Sequence, residues 1–303
     1  MSDIERDLKS ICGEDSVKLQ EPLKNHTTFR IGGPAAFFVS TDSEEKLQSV
    51  VKYCRDNGKE YYILGNGSNT LVSDEGFSGV VIQLFDKFND ISIEGNRLYA
   101  RAGALLSRIA NAAAKAGLTG LEAAAGIPGT LGGAMVMNAG AYGFEMKDVT
   151  EYVRVLTPEG HIKDIACQDM DFGYRHSCVT DKGYIVLGAG LVLKPGKEED
   201  IRERMKELKE QRSSKQPLEY PSAGSTFKRP EGYFAGKLIM DAGLKGLSVG
   251  GAQVSEKHCG FVINRGDATA ADVMALIKKI QDTVKEQTGV ILEPEIKKLG
   301  FWS

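Results

Sequence analysis

Glycine is concentrated in three stretches of this chain, at residues 65–67, 126–143 and 243–251, and this clustering constrains the fold more than any other feature. The 35 glycines among 303 residues supply backbone that can take positive φ angles or lie close to another group. Tight turns between short strands would account for any one cluster. The middle cluster, however, also contains many alanines and almost no charge, so it would fill a core poorly. It would instead let the backbone lie against a flat, extended ligand.

The spacing of apolar residues around these clusters predicts both helices and hairpins. Three segments carry apolar side chains at helical spacing: residues 42–57, 104–116 and 270–287. Hairpins are frequent between them, which favours an α+β fold over a doubly wound parallel sheet. The charged segment 195–212 has a narrow apolar stripe, and we interpret it as a helix that connects two domains.

The composition argues against several classes of function. A formal net charge of −3 gives no overall attraction for nucleic acid. The polar N-terminal residues do not resemble a signal peptide, and no apolar run reaches the roughly 18 residues of a membrane span. The five cysteines form no C-x-x-C pair, which favours reduced thiols over disulfides or a zinc site. We therefore expect a cytoplasmic protein that binds neither nucleic acid nor membrane, and no metal site is predicted.

Residues 223–230, AGSTFKRP, leave three roles open for Ser225: a nucleophile, part of a phosphate-binding loop, or a turn residue. A nucleophilic serine usually needs a histidine base and an elbow such as G-x-S-x-G, and Ser225 lacks the second glycine. The spacing of the four histidines indicates no partner for it. The G-x-x-x-x-G-K-[ST] pattern of a phosphate loop is also missing. These residues alone do not decide the role of Ser225.

A second motif, GNGSN at residues 65–69, lies between two short apolar segments. It matches half of the G-x-G-x-x-G pattern, but the third glycine is missing and no amphipathic helix begins there. A glycine-rich turn between two strands presents several backbone N–H groups in one arc, which suits phosphate oxygens. The motif therefore predicts an anion-binding turn.

Six segments, in order along the chain, resemble the UDP-N-acetylenolpyruvoylglucosamine reductases, which are flavoenzymes of peptidoglycan precursor synthesis. They are NHTTFRIGGPA (25–35), ILGNGSNTLV (63–72), GIPGTLGGAMVMNAGAYG (126–143), FGYRHS (172–177), AGSTFK (223–228) and LEPE (292–295). Each could arise by chance, but six in the family's order identify the chain as a member. Short connections after Leu193 and after Phe227 resemble the shorter form of the family, which lacks a tyrosine-bearing loop over the substrate.

The resemblance implies an FAD-binding α+β domain of the vanillyl-alcohol-oxidase/PCMH-like type at residues 1–196, in two subdomains. A connecting helix at 197–212 and a smaller α+β substrate-binding domain at 213–303 would follow, with 292–303 returning toward the active site. FAD would be bound non-covalently, because residues 65–70 contain no histidine of the kind that attaches flavin in many wider relatives. The resemblance assigns to FAD the residues Arg30, Gly65, Asn66, Gly67, Ser68, Asn69, Gly126, Gly132, Gly133, Ala134, Asn138, Ala139 and Gly140.

The implied reaction uses NADPH and FAD to reduce UDP-N-acetylglucosamine enolpyruvate to UDP-N-acetylmuramate. Hydride addition at the methylene carbon leaves enolate character beside the carboxylate, so the protein must stabilise negative charge and deliver a proton. The resemblance assigns charge stabilisation to Arg175 and Glu295 and proton donation to Ser225. Glu295 would hydrogen-bond the developing charge or orient Arg175, and without the family pattern Glu293 would be an equal choice.

The substrate's diphosphate needs cationic partners, for which Lys215, Lys228 and Arg229 are the candidates. Lys228 and Arg229 could equally be solvated turn residues. Two other functions are open: another non-covalent FAD-dependent oxidoreductase or oxidase on the same scaffold, and a non-catalytic nucleotide-sugar-binding protein. The three assigned catalytic residues favour the reductase, because an oxidase would more plausibly use tyrosine or histidine as its base.

Overall fold

The computed structural model describes residues 2–302, which form a mixture of helices and strands. The helices are α1 Asp3–Cys12, α2 Glu44–Asp56, α3 Leu106–Lys115, α4 Leu131–Met137, α5 Cys178–Asp181, α6 Glu198–Lys215, α7 Ala235–Asp241 and α8 Ala270–Thr288. None of the described helices has both the length and the apolar character that a membrane span requires.

The strands are short, and most belong to antiparallel pairs. They are β1 Val17–Pro22, β2 Pro34–Ser40, β3 Tyr61–Leu64, β4 Thr70–Val72, β5 Phe77–Gln83, β6 Ile91–Glu94, β7 Arg97–Arg101, β8 Leu118–Thr119, β9 Gly140–Ala141, β10 Phe144–Glu145, β11 Thr150–Leu156, β12 Ile162–Ala166, β13 Ile185–Val192, β14 Lys194–Pro195, β15 Ser248–Val249, β16 Ala252–Val254, β17 Val262–Asn264 and β18 Lys297–Leu299. One four-stranded sheet has the order β1-β2-β5-β3, and its β3 and β5 run parallel.

The chain divides into two units whose segments alternate along the sequence. Unit 1 contains Met1–Lys18, Phe38–Asn66 and Val80–Arg212, and unit 2 contains Leu19–Phe37, Gly67–Gly79 and Ser213–Ser303. The predicted domains at 1–196 and 213–303 are linear, whereas these units interleave, and the predicted boundaries stay predictions. A helix, α6, occupies the position at which the sequence predicts the connecting helix.

Unit 1 contains a five-stranded antiparallel sheet of order β12-β11-β13-β7-β6. Its central strand β13 is buried at every residue except the last, which explains its almost uninterrupted apolar sequence. Gly190 in this strand is required by packing, since a Cβ there would lie 2.2 Å from Cε1 of the Tyr152 ring. Helices α3 and α4 pack on this sheet, and α3 buries a face that includes Ile109 and Ala113.

Unit 2 has its own apolar core between α7, α8 and the three-stranded sheet β15-β16-β17. Helix α8 confirms the helix predicted from spacing at 270–287. It begins with a capping box in which Thr269 and Asp272 each accept from the other's backbone amide. The amide hydrogen bond from Thr269 lowers the pKa of the Asp272 carboxyl. Gly289, with φ of 74°, ends the helix in the left-handed conformation.

Candidate active site

In unit 1, the GNGSN loop begins directly against the middle glycine-rich segment. A Cβ at Gly65 would lie 2.4 Å from Oγ1 of the buried Thr130, so only glycine allows this contact. The Asn66 side chain donates from Nδ2 to the carbonyl of Pro128 at 2.6 Å. Within the described chain, the backbone amides of Gly65 and Asn66 donate to no other backbone group. Unit 1 therefore brings two remote glycine-rich segments together and leaves two N–H donors available to a ligand.

The middle glycine-rich segment contains a helix, α4, that its glycines disfavour. Its beginning is fixed by tertiary hydrogen bonds, because the amides of Leu131 and Gly132 donate to the carbonyls of Ala104 and Ala102, both at 2.8 Å. The amide of Gly132 is therefore already hydrogen-bonded within the protein. Gly133, in contrast, is exposed, and a Cβ there would meet nothing nearer than 3.8 Å. Of this pair, Gly133 is the position at which a ligand could approach the backbone.

Asn138, at the end of α4, is fully buried and holds the left-handed conformation with φ of 42°. Its Nδ2 donates to Glu145 Oε2 and to the carbonyl of Gly173, both at 3.1 Å, and its Oδ1 accepts from the amide of Lys147 at 3.0 Å. The side chain therefore uses both of its N–H donors and one acceptor position of its oxygen within the protein. The assignment of Asn138 to FAD stays a prediction, and its side chain is a structural link to the segment that carries Arg175.

The neighbouring cofactor assignments, Ala134, Ala139 and Gly140, lie within α4 and in the turn that follows it. The amide of Ala134 donates to Thr130 and that of Ala139 donates to Ala134, both at 2.9 Å, while Gly140 pairs with Glu145 in the β9–β10 hairpin. These three residues hold the end of the segment in shape. Their contacts with FAD stay predictions.

Arg175 lies in a tight turn that is tied to α4. Gly173 and His176 exchange backbone hydrogen bonds of 3.1 and 3.3 Å, and Arg175 between them has a positive φ of 55°. The Ser177 hydroxyl donates to the carbonyl of Val136 at 2.9 Å. A non-glycine residue in the left-handed region costs free energy, on the order of 1 kcal/mol, and is found where the surroundings hold it. Unit 1 thus connects the loop at Gly65, the segment 126–143 and Arg175 through consecutive contacts.

Arg212 is a candidate that the sequence did not reveal. Its Cδ lies 3.4 Å from the position of a Cβ at Gly126, and its Nε is buried without a hydrogen-bond partner among residues 2–302. Burial lowers the pKa of this guanidinium, although the charge is retained because arginine titrates far above neutrality. In the sequence, Arg212 looks like one more charge on a solvated helix. A desolvated cation beside Gly126 is instead suited to an anionic or carbonyl group of a ligand.

In unit 2, the rest of the GNGSN loop is held by the backbone. Gly67 is buried with φ of 61°, its carbonyl accepts from the Thr28 amide at 3.3 Å, and a Cβ there would lie 2.3 Å from the carbonyl oxygen of His26. In the described residues, the amides of Gly67, Ser68 and Asn69 donate to no other backbone group. Successive amides with one positive-φ glycine form the concave arrangement that binds phosphate oxygens.

Unit 2 also brings Ser225 and Glu295 onto neighbouring segments. Phe227 and Pro294 form an antiparallel bridge, with the amide of Glu295 donating to the carbonyl of Thr226 at 2.8 Å. Asn69 joins the same cluster, because its Nδ2 donates to the carbonyl of Glu295 at 3.3 Å. Ser225 is exposed and Glu295 half-buried. The arrangement suits a hydroxyl and a carboxyl that act on one ligand better than a Ser–His nucleophile.

A buried threonine holds the Ser225 segment in place. The Oγ1 of Thr226 accepts from the amide of Val262 at 2.9 Å, and the Thr226 amide donates to the carbonyl of Gly260 at 2.8 Å. Removing that hydroxyl would leave a buried N–H without a partner, at a cost of about 1–3 kcal/mol. The position of Ser225 is thus set by its neighbour.

The three predicted diphosphate partners differ in their surroundings. Lys215 is exposed at the C-terminal end of α6. Lys228 forms an ion pair with Glu293, with 3.0 Å between Nζ and Oε2. Arg229 donates from Nε to the carbonyl of Tyr233 at 3.4 Å and stacks over the Phe234 ring at 4.0 Å. Lys215 therefore needs the least rearrangement to meet a phosphate.

Arg30, assigned to FAD by the resemblance, lines a pocket of about 560 Å³ within unit 2. Lys24, Tyr220, Arg265 and Asp267 also line it, and Arg265 hydrogen-bonds and stacks on Tyr220. Arg30 has a positive φ of 56°. Its contact with FAD stays a prediction.

Two family models match the chain. One, described as "FAD binding domain", matches residues 35–166, and the other, described as "UDP-N-acetylenolpyruvoylglucosamine reductase, C-terminal domain", matches residues 216–299. The first covers the glycine-rich segments 65–67 and 126–143, and the second covers the Ser225–Glu295 cluster.

Individual relatives of known sequence or structure indicate the same family as the two family models. A UDP-N-acetylenolpyruvoylglucosamine reductase of Caldanaerobacter subterraneus is 54% identical over 97% of each chain. The crystal structure of UDP-N-acetylenolpyruvylglucosamine reductase (MurB) from Thermus caldophilus has a TM-score of 0.80 and 39% identity, covering 93% of this chain and 98% of its own. A p-cresol methylhydroxylase structure, at 16% identity and a TM-score of 0.50 over 64% of this chain and 43% of its own, is similar in fold alone. These findings confirm the predicted α+β class with an FAD-binding domain of the PCMH-like type.

Proposed function

The chain belongs to the UDP-N-acetylenolpyruvoylglucosamine reductase family, and on that premise we propose how its residues carry out the family's reaction. The enzyme uses NADPH and FAD to reduce UDP-N-acetylglucosamine enolpyruvate to UDP-N-acetylmuramate, a step of peptidoglycan precursor synthesis. The observation that carries the residue assignments is the pairing in unit 2 of residues 226–228, which directly follow Ser225, with residues 293–295.

The glycine positions fit FAD. The GNGSN loop has five consecutive amides without a backbone acceptor, and exposed Gly133 adds backbone that no side chain covers. FAD bound there would accept a hydride equivalent from NADPH and transfer it to the methylene carbon of the enolpyruvyl group. In our proposal the loop amides would hold its pyrophosphate non-covalently, and Arg212 would supply a buried positive charge to the same ligand.

Ser225 delivers the proton that completes the reduction. A carbanion next to a carboxylate is a strong base, so an alcohol is acidic enough if it is held in line with the carbon. The backbone supports that requirement, because residues on both sides of the hydroxyl are hydrogen-bonded: the carbonyl of Ser222 accepts from Thr28 and the amide of Thr226 donates to Gly260. Glu295, on the paired segment, contributes hydrogen bonding at the developing charge.

Arg175 stabilises the substrate carboxylate as it becomes an enolate. A guanidinium presents two parallel N–H donors that match a carboxylate, and the interaction strengthens as charge accumulates in the transition state. The fixed turn and the positive φ of Arg175 reduce the freedom of its backbone before substrate binds. Lys215 is the first candidate for the diphosphate, with Lys228 and Arg229 as further ones. We place the reaction in the cytoplasm, where nucleotide sugars and NADPH are available.

The test of the function is product formation by the purified, FAD-loaded chain. We expect NADPH oxidation that depends on the UDP-enolpyruvyl sugar, with one UDP-N-acetylmuramate formed per NADPH by mass spectrometry. An oxidase on this scaffold would instead consume oxygen without needing that sugar. NADPH oxidation that is unchanged when the sugar is omitted would overturn the proposal.

A further inference from the structure

Three metal-ligating side chains converge on the surface of unit 1. Nε2 of His176 lies 3.3 Å from Asp171 Oδ2 and 3.6 Å from Asp181 Oδ2. The three potential ligand atoms all lie within 4.8 Å of one another. Ligand atoms about 2.1 Å from a tetrahedral ion are separated by about 3.4 Å, so small side-chain rotations would bring all three onto one ion.

A single hydrogen bond from the histidine does not account for this arrangement. Both carboxylates face the same ring nitrogen, which carries at most one hydrogen and can satisfy only one of them. The two carboxylates of the cluster are hard oxygen ligands, and a divalent cation would balance their negative charge. The side chains of Asp171 and Asp181 are 79% and 64% exposed, so an ion could enter and retain water in its open positions.

The backbone holds two of the ligands at the ends of the Arg175 turn. Asp171 precedes Gly173 and His176 follows Arg175, and the Gly173–His176 hydrogen bonds close the turn between them. Asp181 ends helix α5, whose first residue, Cys178, donates its amide to the carbonyl of Met170 at 2.7 Å. An ion shared by these elements would therefore link both sides of the turn to α5.

We propose that Asp171, His176 and Asp181 form a binding site for one divalent first-row transition ion, with zinc as the best match, and that the ion restrains the turn that carries Arg175. One imidazole with two carboxylates is a set that Zn²⁺, Co²⁺ and their neighbours accept. The site has three protein ligands and open positions, so it binds less tightly than a closed structural zinc site. Sequence spacing did not reveal it, because its residues follow no helical or C-x-x-C pattern.

The binding test uses the full-length, FAD-loaded protein without NADPH or sugar, so it does not depend on the proposed reaction. After chelator treatment, titration with Zn²⁺ should show one bound ion by calorimetry, and Co²⁺ should give visible absorption bands of a protein-bound ion. We expect His176→Ala and Asp181→Asn each to weaken binding at least about tenfold. His161→Ala, at another histidine of unit 1, is the matched control and should bind as the wild type does.

The consequence for Arg175 rests on the proposed function and has its own measurement. Zn²⁺ should change the KM for the UDP-enolpyruvyl sugar in the wild type but not in His176→Ala, and the rate of flavin reduction by NADPH should be equal in both. A KM that does not change with Zn²⁺ would contradict the proposed restraint of the turn. It would not contradict the proposed ion-binding site. Wild-type protein that binds no ion, or His176→Ala that binds like the wild type, would overturn the site itself.

Discussion

Unit 1 and unit 2 differ in the candidate functional groups that they present. In unit 1 two glycine-rich segments approach each other through the Gly65–Thr130 contact, and the amides of Gly65 and Asn66 donate to no other backbone group among the described residues. Unit 2 holds the other three loop amides, at residues 67–69, and adds two reactive side chains, Ser225 and Glu295, on segments that are held together by backbone pairing. The first arrangement suits binding a large cofactor of fixed shape, and the second suits placing a few reactive atoms.

The difference teaches where each unit is sensitive to mutation. A backbone site is damaged by any added atom at a close contact, whatever its chemistry. A side-chain site tolerates substitutions that keep the backbone pairing of its segments. It loses its reactivity, however, when a single hydroxyl group is removed. Substitutions in the two units should therefore separate cofactor binding from proton transfer.

The largest expected effect is on proton transfer in Ser225→Ala. Flavin reduction by NADPH should remain near the wild-type rate, because FAD binding does not require this hydroxyl. Reoxidation by the UDP-enolpyruvyl sugar should slow by about 10²-fold or more, the range for loss of an acid catalyst. Anaerobic stopped-flow measurement of flavin absorbance resolves the two half-reactions.

Ser222→Ala is the matched control for that experiment, because the structure uses the Ser222 carbonyl as the acceptor from Thr28. It should leave both half-reactions near wild type. Equal slowing of reduction and reoxidation in Ser225→Ala would contradict the proton-donor role and the contrast between the units.

Gly65→Ala should give the next largest effect, on cofactor binding. The added Cβ would lie 2.4 Å from Oγ1 of Thr130, so the loop and the segment 126–143 must separate. We expect about tenfold or greater loss of FAD affinity and a decrease of about 1–3 kcal/mol in the free energy of unfolding. Fluorescence titration with FAD and thermal unfolding measure the two quantities.

Two further variants identify the cause of that loss. Removing the clashing hydroxyl in Gly65→Ala/Thr130→Ala should restore part of the affinity. Gly133→Ala, whose Cβ meets no protein atom nearer than 3.8 Å, should retain stability but lose affinity if FAD contacts that backbone. Unchanged FAD binding in Gly65→Ala would show that the close contact is not part of the cofactor site.

The smallest expected effect concerns the pH dependence of stability and lies in unit 2. Burial lowers the pKa of His258 below its ordinary 6.5, and the Gly260 amide donates to its Nδ1 at 3.1 Å. Below 6.5 the unfolded chain binds this proton more readily than the folded chain, so stability should fall as pH decreases through 6.5. Above 6.5 both states are neutral at this residue and no penalty arises.

His258→Asn removes the titrating group, and its side-chain oxygen can still accept from Gly260. Between about pH 7.5 and 5.5, thermal midpoints should fall less in this variant than in the wild type. The carbonyl of Gly260 accepts from Thr226, so the same measurement reports on the support of the Ser225 segment. Parallel pH profiles for the two proteins would exclude His258 as the cause.

Local patterns predicted some of this structure well. Helix α8 was predictable because its apolar spacing and its capping residues act within the helix itself. Helix α4 was not, because its glycines disfavour a helix and distant carbonyls fix its start. Arg212 could not be singled out from the sequence, because it is one of many charged residues in helix α6. The pairing of Phe227 with Pro294 joins remote segments, and only the resemblance to a known family suggested that Ser225 and Glu295 act together.

The interleaving of unit 2 has a consequence for how the protein is made. The carbonyl of Phe29 accepts a hydrogen bond from Nδ2 of Asn264, which is 235 residues later in the chain. Nδ2 of Asn69 donates to the carbonyl of Glu295, which is 226 residues later. At the usual rate of synthesis the early segments wait on the order of ten seconds or more for these partners. Phe29, Ile31 and Leu71 belong to the apolar core of unit 2 in the folded protein. During that time the later residues that complete this core have not been synthesised. Newborn chains should therefore depend on chaperones, and residues 216–299 expressed alone should fail to fold.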